Sequence, residues 1–360
     1  MAALKDMFDS SLIGKLASLI HTQEKKFKST AFCNDVLKAF PQMELNERMR
    51  HTSEMLHCHL PGPYANNIAI FKAVIPHMPR SYTNLVFPDY VSQFGLNETE
   101  LSLDALHYFT RFGSSEFAIR HFLRNNFKNT IAAMKKWSKD ENEHVRRLAS
   151  EGSRSRLPWS FNLTEVIDNP NYTLPILNNL IYDDSAYVRK SVANHLNDIS
   201  KDHREIMVGF VKKHLGNNTE TDKLLKHACR TLLKSGDSEV MALFGTAHSE
   251  DLILDHFVLH TQKVHMGGDL QFTFQISNKG KKELKGRFEF AIYFLLGRGQ
   301  YYRKVFKITE RLIPAGSATE VKKIFSFRPI STRQYRPGLH QVGIIVNGME
   351  MHTADFTLLP

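Results

Sequence analysis

The stretch from Val145 to Trp159 holds the densest set of side chains able to do chemistry: Arg146, Arg147, Glu151, Arg154, Arg156 and Trp159, with Gly152 and Pro158 among them. On a helix Arg147 and Glu151 stand four apart and share a face. Gly152 is placed to end that helix. Arg154 and Arg156 then fall in a short loop leading to Trp159, one of two tryptophans in the chain. A carboxylate here can stabilise a developing positive charge or orient a water. Arginine suits phosphate through its charge and forked geometry, and tryptophan offers a flat face to a base or a cation. A plainer arrangement fits the same spacing: Glu151 paired with Arg147, Arg154 and Arg156 solvated, and Trp159 filling a gap between helices.

Two further carboxylates lie on segments with helical spacing. Glu116 follows Gly113-Ser114-Ser115 and stands four before Arg120, and Asp198 stands four after Asn194 on a helix starting near Tyr187. Taken singly, each reads as an ordinary surface or helix-end charge. The three make a site only if the fold gathers them. His57-Cys58-His59 could bind a metal weakly, but no further ligands follow at useful spacing, so no metal is expected. The three cysteines, Cys33, Cys58 and Cys229, form neither a disulfide framework nor a zinc pattern and suit a reducing compartment.

The elements that must hold these side chains fall into two grammars. Up to about residue 252 apolar residues recur at spacings of three and four, as in Leu12, Leu16, Leu19 and Ile20, or Val188, Val192, Leu196 and Ile199. From about residue 253 the period becomes two: Leu270, Phe272, Phe274 and Ile276 alternate with polar residues, and Arg287–Phe294 is rich in aromatics. Turn signals separate such runs: Gly267-Gly268, Asn278-Lys279-Gly280, Pro314-Ala315-Gly316, Arg336-Pro337-Gly338 and Asn347-Gly348, the last a two-residue hairpin turn. About seven strands in residues 253–360 suit an immunoglobulin-like antiparallel sandwich, although the Cys-Trp-Cys signature of antibody domains is absent. Within the helical part, Glu141–Ala149 resembles Asp184–Val192 at a displacement of 43, with a looser third copy from Leu224 to Leu232. An acidic residue, then Val-Arg, then small and apolar residues at about 40-residue spacing is the grammar of stacked HEAT-type helix pairs. Two domains are therefore expected, residues 1–252 and 253–360, in a chain of 360 residues.

With 42% hydrophobic and 23% charged residues the composition is that of a globular protein and excludes a disordered or collagen-like chain. No apolar run reaches the roughly 18–20 residues of a membrane span, and Met1–Ile20 mixes charged and apolar residues without the pattern of a signal peptide. The net charge of +10 fits either a soluble basic protein or one with a polyanionic partner. Its distribution is uneven. Residues 253–360 hold 16 basic and 8 acidic side chains, and residues 111–160 hold 11 and 5, whereas residues 1–252 as a whole are nearly balanced.

The segment Glu151-Gly-Ser-Arg154-Ser-Arg156-Leu157-Pro158-Trp159 resembles the EG-x-R-x-RLPW signature of the AlkC branch of the AlkC/AlkD DNA-alkylation-repair glycosylases. Ser114–Phe122 around Glu116 and Val192–Asp198 resemble the flanking motifs, and Leu4-Lys5-Asp6, Leu19-Ile20, Phe27, Glu44–Arg48 and Leu60-Pro61 extend the likeness over the helical half. A sandwich after the helices fits members with an appended Ig-like domain. Ser155 stands where the family commonly has proline between the arginines, which bears on loop rigidity more than on chemistry.

The resemblance implies a HEAT-like solenoid and a monofunctional glycosylase that removes cationic N-alkylated bases, chiefly 3-methyladenine and in this branch 3-methylcytosine, from double-stranded DNA. Carried over by motif, Glu151, Glu116, Asp198 and Trp159 are the expected catalytic residues, and Arg147, Arg154, Arg156 and Arg189 the expected DNA contacts. Such a base is already a good leaving group, so the protein needs negative charge near an oxocarbenium-like sugar and a positioned water. Glu151 is the first expectation for that charge, with Glu116 and Asp198 sharing it or orienting water, and Trp159 contacting the sugar or the lesion. No lysine in the matching segments suggests a Schiff base, so no strand cleavage is expected, nor any cofactor or obligate protein partner. The basic sandwich is expected to grip DNA through Lys279, Lys281 and Lys282, from the side opposite the helices, or else to serve stability or solubility. The implied setting is a bacterial cytoplasm, with nucleoid association through DNA. Two rival readings are a non-catalytic HEAT scaffold for nucleic acid or protein, and a relative acting on bulkier or 7-substituted purines.

Overall fold

The computed structural model describes residues 4–330 and 333–360. Sixteen α-helices among the described residues run from Ser10 to Leu243, and eight strands follow from Leu252 to Leu359. The chain divides into two compact units: one holds the chain up to Met207 together with His214–Ala228, the other Val208–Lys213 together with Cys229–Pro360. No helix among the described residues is long and apolar enough to cross a membrane.

In the first unit the three-and-four spacing buries one face of each helix. Ile13, Leu16, Ala17 and Ile20 are the buried residues of Ser10–Gln23, and Val188, Val192, Leu196 and Ile199 lie under Ala186–Ile199. The repeated Val-Arg pattern has a structural counterpart. Arg146, on helix Glu143–Glu151, donates Nη1 to the Asp140 and Glu141 carbonyls at 2.9 and 2.8 Å and grips Asp183 of the next repeat through Nε and Nη2. Forty-three residues on, Arg189 donates Nη1 to the Asp183 and Asp184 carbonyls, both at 2.8 Å, and reaches Glu220 with Nη2 at 3.1 Å. The same arginine therefore caps loop carbonyls and ties each helix pair to the next.

In the second unit the period-two runs become β1 (Leu252–Leu259), β2 (Lys263–His265), β3 (Asp269–Asn278), β4 (Leu284–Leu295), β5 (Tyr301–Ile313), β6 (Ala318–Ser326), β7 (Gly338–Val346) and β8 (Met349–Leu359). One sheet has the order β1-β3-β6, the other β2-β8-β7-β4-β5. All pairings are antiparallel except the short β2 against β8, a strand too brief to register as an alternation in the sequence. Leu270, Phe272, Phe274 and Ile276 of β3 are buried in a core with Phe288, Phe290 and Phe294 of β4. Asn347 and Gly348, at φ 46° and 78°, close the β7–β8 hairpin, where only residues tolerant of positive φ fit.

Candidate active site

Three segments far apart in sequence converge in the first unit. Glu116 does not lie on a helix: it sits in the turn before helix Ala118–Asn125. Ser115 Oγ pins that turn to the Leu106 carbonyl at 2.9 Å, and Ser114 Oγ donates to Glu116 Oε2 at 2.9 Å. Glu151 ends helix Glu143–Glu151, and Asp198 lies in the last turn of Ala186–Ile199. Arginines link the three. Arg147 bonds Glu116 Oε2 and approaches Glu151 Oε1 at 3.7 Å. Arg154 donates Nη1 to Glu151 Oε1 at 2.6 Å and Nε to Asp198 Oδ2 at 2.8 Å. Ser191 Oγ donates to Glu151 Oε2 at 2.6 Å, and Lys201 Nζ to Asp198 Oδ1 at 3.0 Å.

Burial sorts the carboxylates. Glu151 is 6% and Asp198 2% exposed, with a donor on every carboxylate oxygen. Glu116 is half-buried, and its Oε1 has no hydrogen-bond partner among the described residues. Arg154 is itself buried, so it organises carboxylates from inside the cluster. Burial works against its charge, but its bonds to Asp198 and Glu151 prevail and its pKa is raised. Arg156 lies further out on Asp202, and Arg189 is engaged in the repeat join. Lys279, Lys281 and Lys282 are exposed in the β3–β4 turn of the second unit, Lys279 3.9 Å from Asp255.

Trp159 fills no gap. It is 84% exposed and holds φ at 64°, a left-handed conformation that a bulky residue adopts only under constraint from its surroundings. The loop on either side of it is tied down by Arg120, fully buried, which donates Nη1 to the carbonyls of Gly152 at 3.2 Å and Arg154 at 2.6 Å, and Nη2 to that of Phe161. The sequence showed Arg120 only as a neighbour of Glu116. Its role as the pin of the whole signature loop was missed, because spacing cannot show which carbonyls a buried guanidinium will meet. Gly152 does follow the helix, but its φ of −66° is ordinary. It is glycine because a Cβ would stand 2.5 Å from Ile119 Cγ2 and 3.2 Å from Met134 Cε. A cavity of about 530 Å³ beside Trp159 is lined by Arg50, Tyr82, Phe117, His121 and Phe161. His57 stacks on Phe94 at 3.8 Å while His59 meets Asp35 at 2.8 Å, so the two histidines face different partners.

A buried histidine under the cluster makes the site sensitive to acid. His195 Nδ1 donates to the Ser150 carbonyl at 2.9 Å, its Nε2 is buried without a partner among the described residues, and burial pushes the imidazole down to about 4. In the unfolded chain it titrates near 6.5. Between those values the unfolded state binds a proton that the folded state refuses, so stability is full above about pH 6.5 and falls as pH drops toward 4, by about 3 kcal/mol in all. His195→Gln is expected to flatten this part of the pH–stability curve. Melting midpoints between pH 7 and 5 that fall as steeply as in the wild type would show that His195 is not the source.

Residues 105–232 match a family model described as DNA alkylation repair enzyme, and residues 254–360 one described as Uncharacterised protein YhaZ, C-terminal Ig-like domain. Uncharacterized protein YhaZ of Bacillus subtilis (strain 168) is 39% identical over 357 residues, covering 99% of both chains. The solved structure of Pseudomonas fluorescens alkylpurine DNA glycosylase AlkC, bound to DNA containing an abasic site analog, superposes with a TM-score of 0.96 at 36% identity over all of both chains. The chain belongs to the AlkC family of DNA-alkylation-repair proteins. Membership in the AlkC branch agrees with the signature read at Glu151–Trp159, and the helical unit followed by an Ig-like sandwich is the architecture which that signature implied.

Proposed function

We propose that this AlkC-family protein is a monofunctional DNA glycosylase that hydrolyses the N-glycosidic bond of cationic N3-alkylated bases, 3-methyladenine and 3-methylcytosine. One observation carries the reading: Glu116, Glu151 and Asp198 meet within one arginine-linked cluster beside a loop that holds Trp159 out from the surface. Glu151 and Asp198, fixed on all four oxygens, supply negative charge that needs no reorganisation as the sugar becomes cationic. Glu116 Oε1, free of other bonds, is the oxygen suited to orient or deprotonate water. Trp159 offers its face to the sugar or to the cationic base. The membership in a DNA-alkylation-repair family and the DNA-bound state of the similar Pseudomonas fluorescens protein support the same reading.

The deciding experiment incubates the protein with methylated duplex and separates the released bases. Free 3-methyladenine above a heat-only control is the expected result; none would leave a nucleic-acid-binding scaffold in its place. The cavity beside Trp159 favours a second reading, acceptance of bulkier or 7-substituted purines, which the same assay tests with those lesions. The sandwich lysines are assigned to the DNA backbone: changing Lys279, Lys281 and Lys282 together to alanine is expected to weaken duplex binding and flatten its salt dependence by about two to three units of log–log slope. An unchanged slope would remove them from the interface.

A further inference from the structure

Next to the carboxylate cluster lies a depression of about 190 Å³ whose lining includes Arg80, Arg111, His144, Arg147 and Ser114. Its charge is unbalanced. Most arginines of the helical unit have evident partners: Arg50 on Asp89, Arg146 on Asp183, Arg154 on Glu151 and Asp198, Arg156 on Asp202 and Arg189 on Glu220. Arg111 makes no side-chain hydrogen bond and no ion pair among the described residues, and its Nε is buried without a partner. The one carboxylate on which Arg111 is seen to act, Asp140, has His107 as its partner at 2.8 Å. Arg80 lies over the Phe112 ring, 5.9 Å from its centre, and makes no side-chain hydrogen bond or ion pair among the described residues. Two guanidinium groups with no carboxylate in ion-pair contact among the described residues, beside a third that is shared with Glu116, make the depression a place that favours an anion. The depression has room for a phosphate group.

We infer that this depression is a phosphate subsite, and that its ligand is a backbone phosphodiester of the strand carrying the lesion. The inference rests on the glycosylase reading and deepens it. Arg147 joins the two places, lining the depression while bonding Glu116 and standing 3.7 Å from Glu151. A nucleotide with a cationic base is a zwitterion, positive on the base and negative on the phosphate. The site offers both complements, with Arg147 lining the arginine-rich depression and also contacting the carboxylates Glu116 and Glu151. A phosphate held by Arg80 and Arg111 would set the attached sugar over the carboxylates, so these two are positioning residues that act through the substrate's backbone.

The test is binding of a duplex containing an abasic-site analogue, followed by fluorescence anisotropy across a salt series. This readout needs no base release, so it stands or falls apart from the activity itself. Arg111→Met, and separately Arg80→Met, are expected to weaken binding and together reduce the log–log salt slope by about one, the value for one lost phosphate contact. Arg111→Lys should restore most of the slope, and unchanged melting midpoints would show that the variants fold. A set of duplexes with one neutral methylphosphonate at each linkage near the analogue locates the contact. At one linkage the wild type should lose about tenfold in affinity, and Arg111→Met should lose nothing further there. Wild-type affinity and slope in both methionine variants would overturn the subsite. Independent, additive losses at every linkage would overturn it too. If inorganic phosphate at matched ionic strength saturates a site in the wild type that Arg111→Met lacks, while no methylphosphonate matters, the depression takes free phosphate and the DNA assignment fails.

Discussion

Glu151→Gln is expected to lower 3-methyladenine release from methylated duplex by about a hundred- to a thousandfold, with little change in duplex affinity. The substitution is nearly isosteric. A glutamine can still accept from Arg154 through its oxygen and stay close to Ser191, so the loop and helix contacts at 2.6 Å survive in outline. What disappears is a fixed negative charge, 6% exposed, at the place where a cationic sugar would form. In a partly dry site that charge acts with little screening, which is why one group can carry so much of the barrier. Single-turnover release at saturating enzyme separates the loss from weaker binding. Activity equal to wild type would take Glu151 out of the role and leave Asp198 and Glu116 to be tested next. Glu116→Gln should give a different signature if its unbonded Oε1 handles water: the pH dependence of release, and not only its size, should change.

Much of the fold around this candidate site was legible from sequence, for identifiable reasons. The period-three-and-four and period-two patterns report local burial, which is what decides helix and strand, so Val188–Ile199 and Leu270–Ile276 folded as their spacing implied. The Asn347-Gly348 turn was legible because few residues accept two successive positive φ values. The displaced Val-Arg motif pointed to Arg146 and Arg189 as equivalents, and their matching carbonyl contacts bear that equivalence out. Other features had no local signal. Glu116 kept helical spacing to Arg120 yet lies in a turn, because the Ser114 hydroxyl satisfies that turn from within and the Ser115 hydroxyl anchors it to the Leu106 carbonyl. Periodicity marks where helices give way to strands but not the body on which a helix packs, and the two short helices after Cys229 group with the sandwich. An arginine's partners are set by tertiary packing, so nothing in the sequence separated Arg120, wholly buried, from Arg80 and Arg111, which have no ion-pair partner among the described residues.

Arg120 carries the other large expectation: Arg120→Met should destabilise the helical unit by about 4 kcal/mol and cost most of the base-release activity as well. Burial, helped by the nearby Arg154, lowers the Arg120 pKa to about 10, so the side chain is still charged at neutral pH. Its three acceptors, the carbonyls of Gly152, Arg154 and Phe161, belong to the segment that carries Glu151, Arg154 and Trp159. Methionine fills much of the volume but donates nothing, so the carbonyls of the buried Gly152 and Arg154 lose their donor where solvent is largely excluded. For a unit of this size the loss corresponds to a fall of roughly 10 °C in melting midpoint. Arg120→Lys distinguishes positioning from bulk stability. A lysine keeps the charge but cannot fork across three acceptors, so the midpoint should recover in part while the loop stays loose. Trp159 reports this directly. In a Trp137→Phe background it is the remaining tryptophan, and its fluorescence anisotropy should drop in Arg120→Lys, in step with the loss of base release. A lysine variant with low activity but wild-type Trp159 anisotropy would break the link between the pin and the loop. Arg120→Met with a wild-type midpoint and wild-type release would show that the three carbonyl bonds neither stabilise the unit nor hold the site.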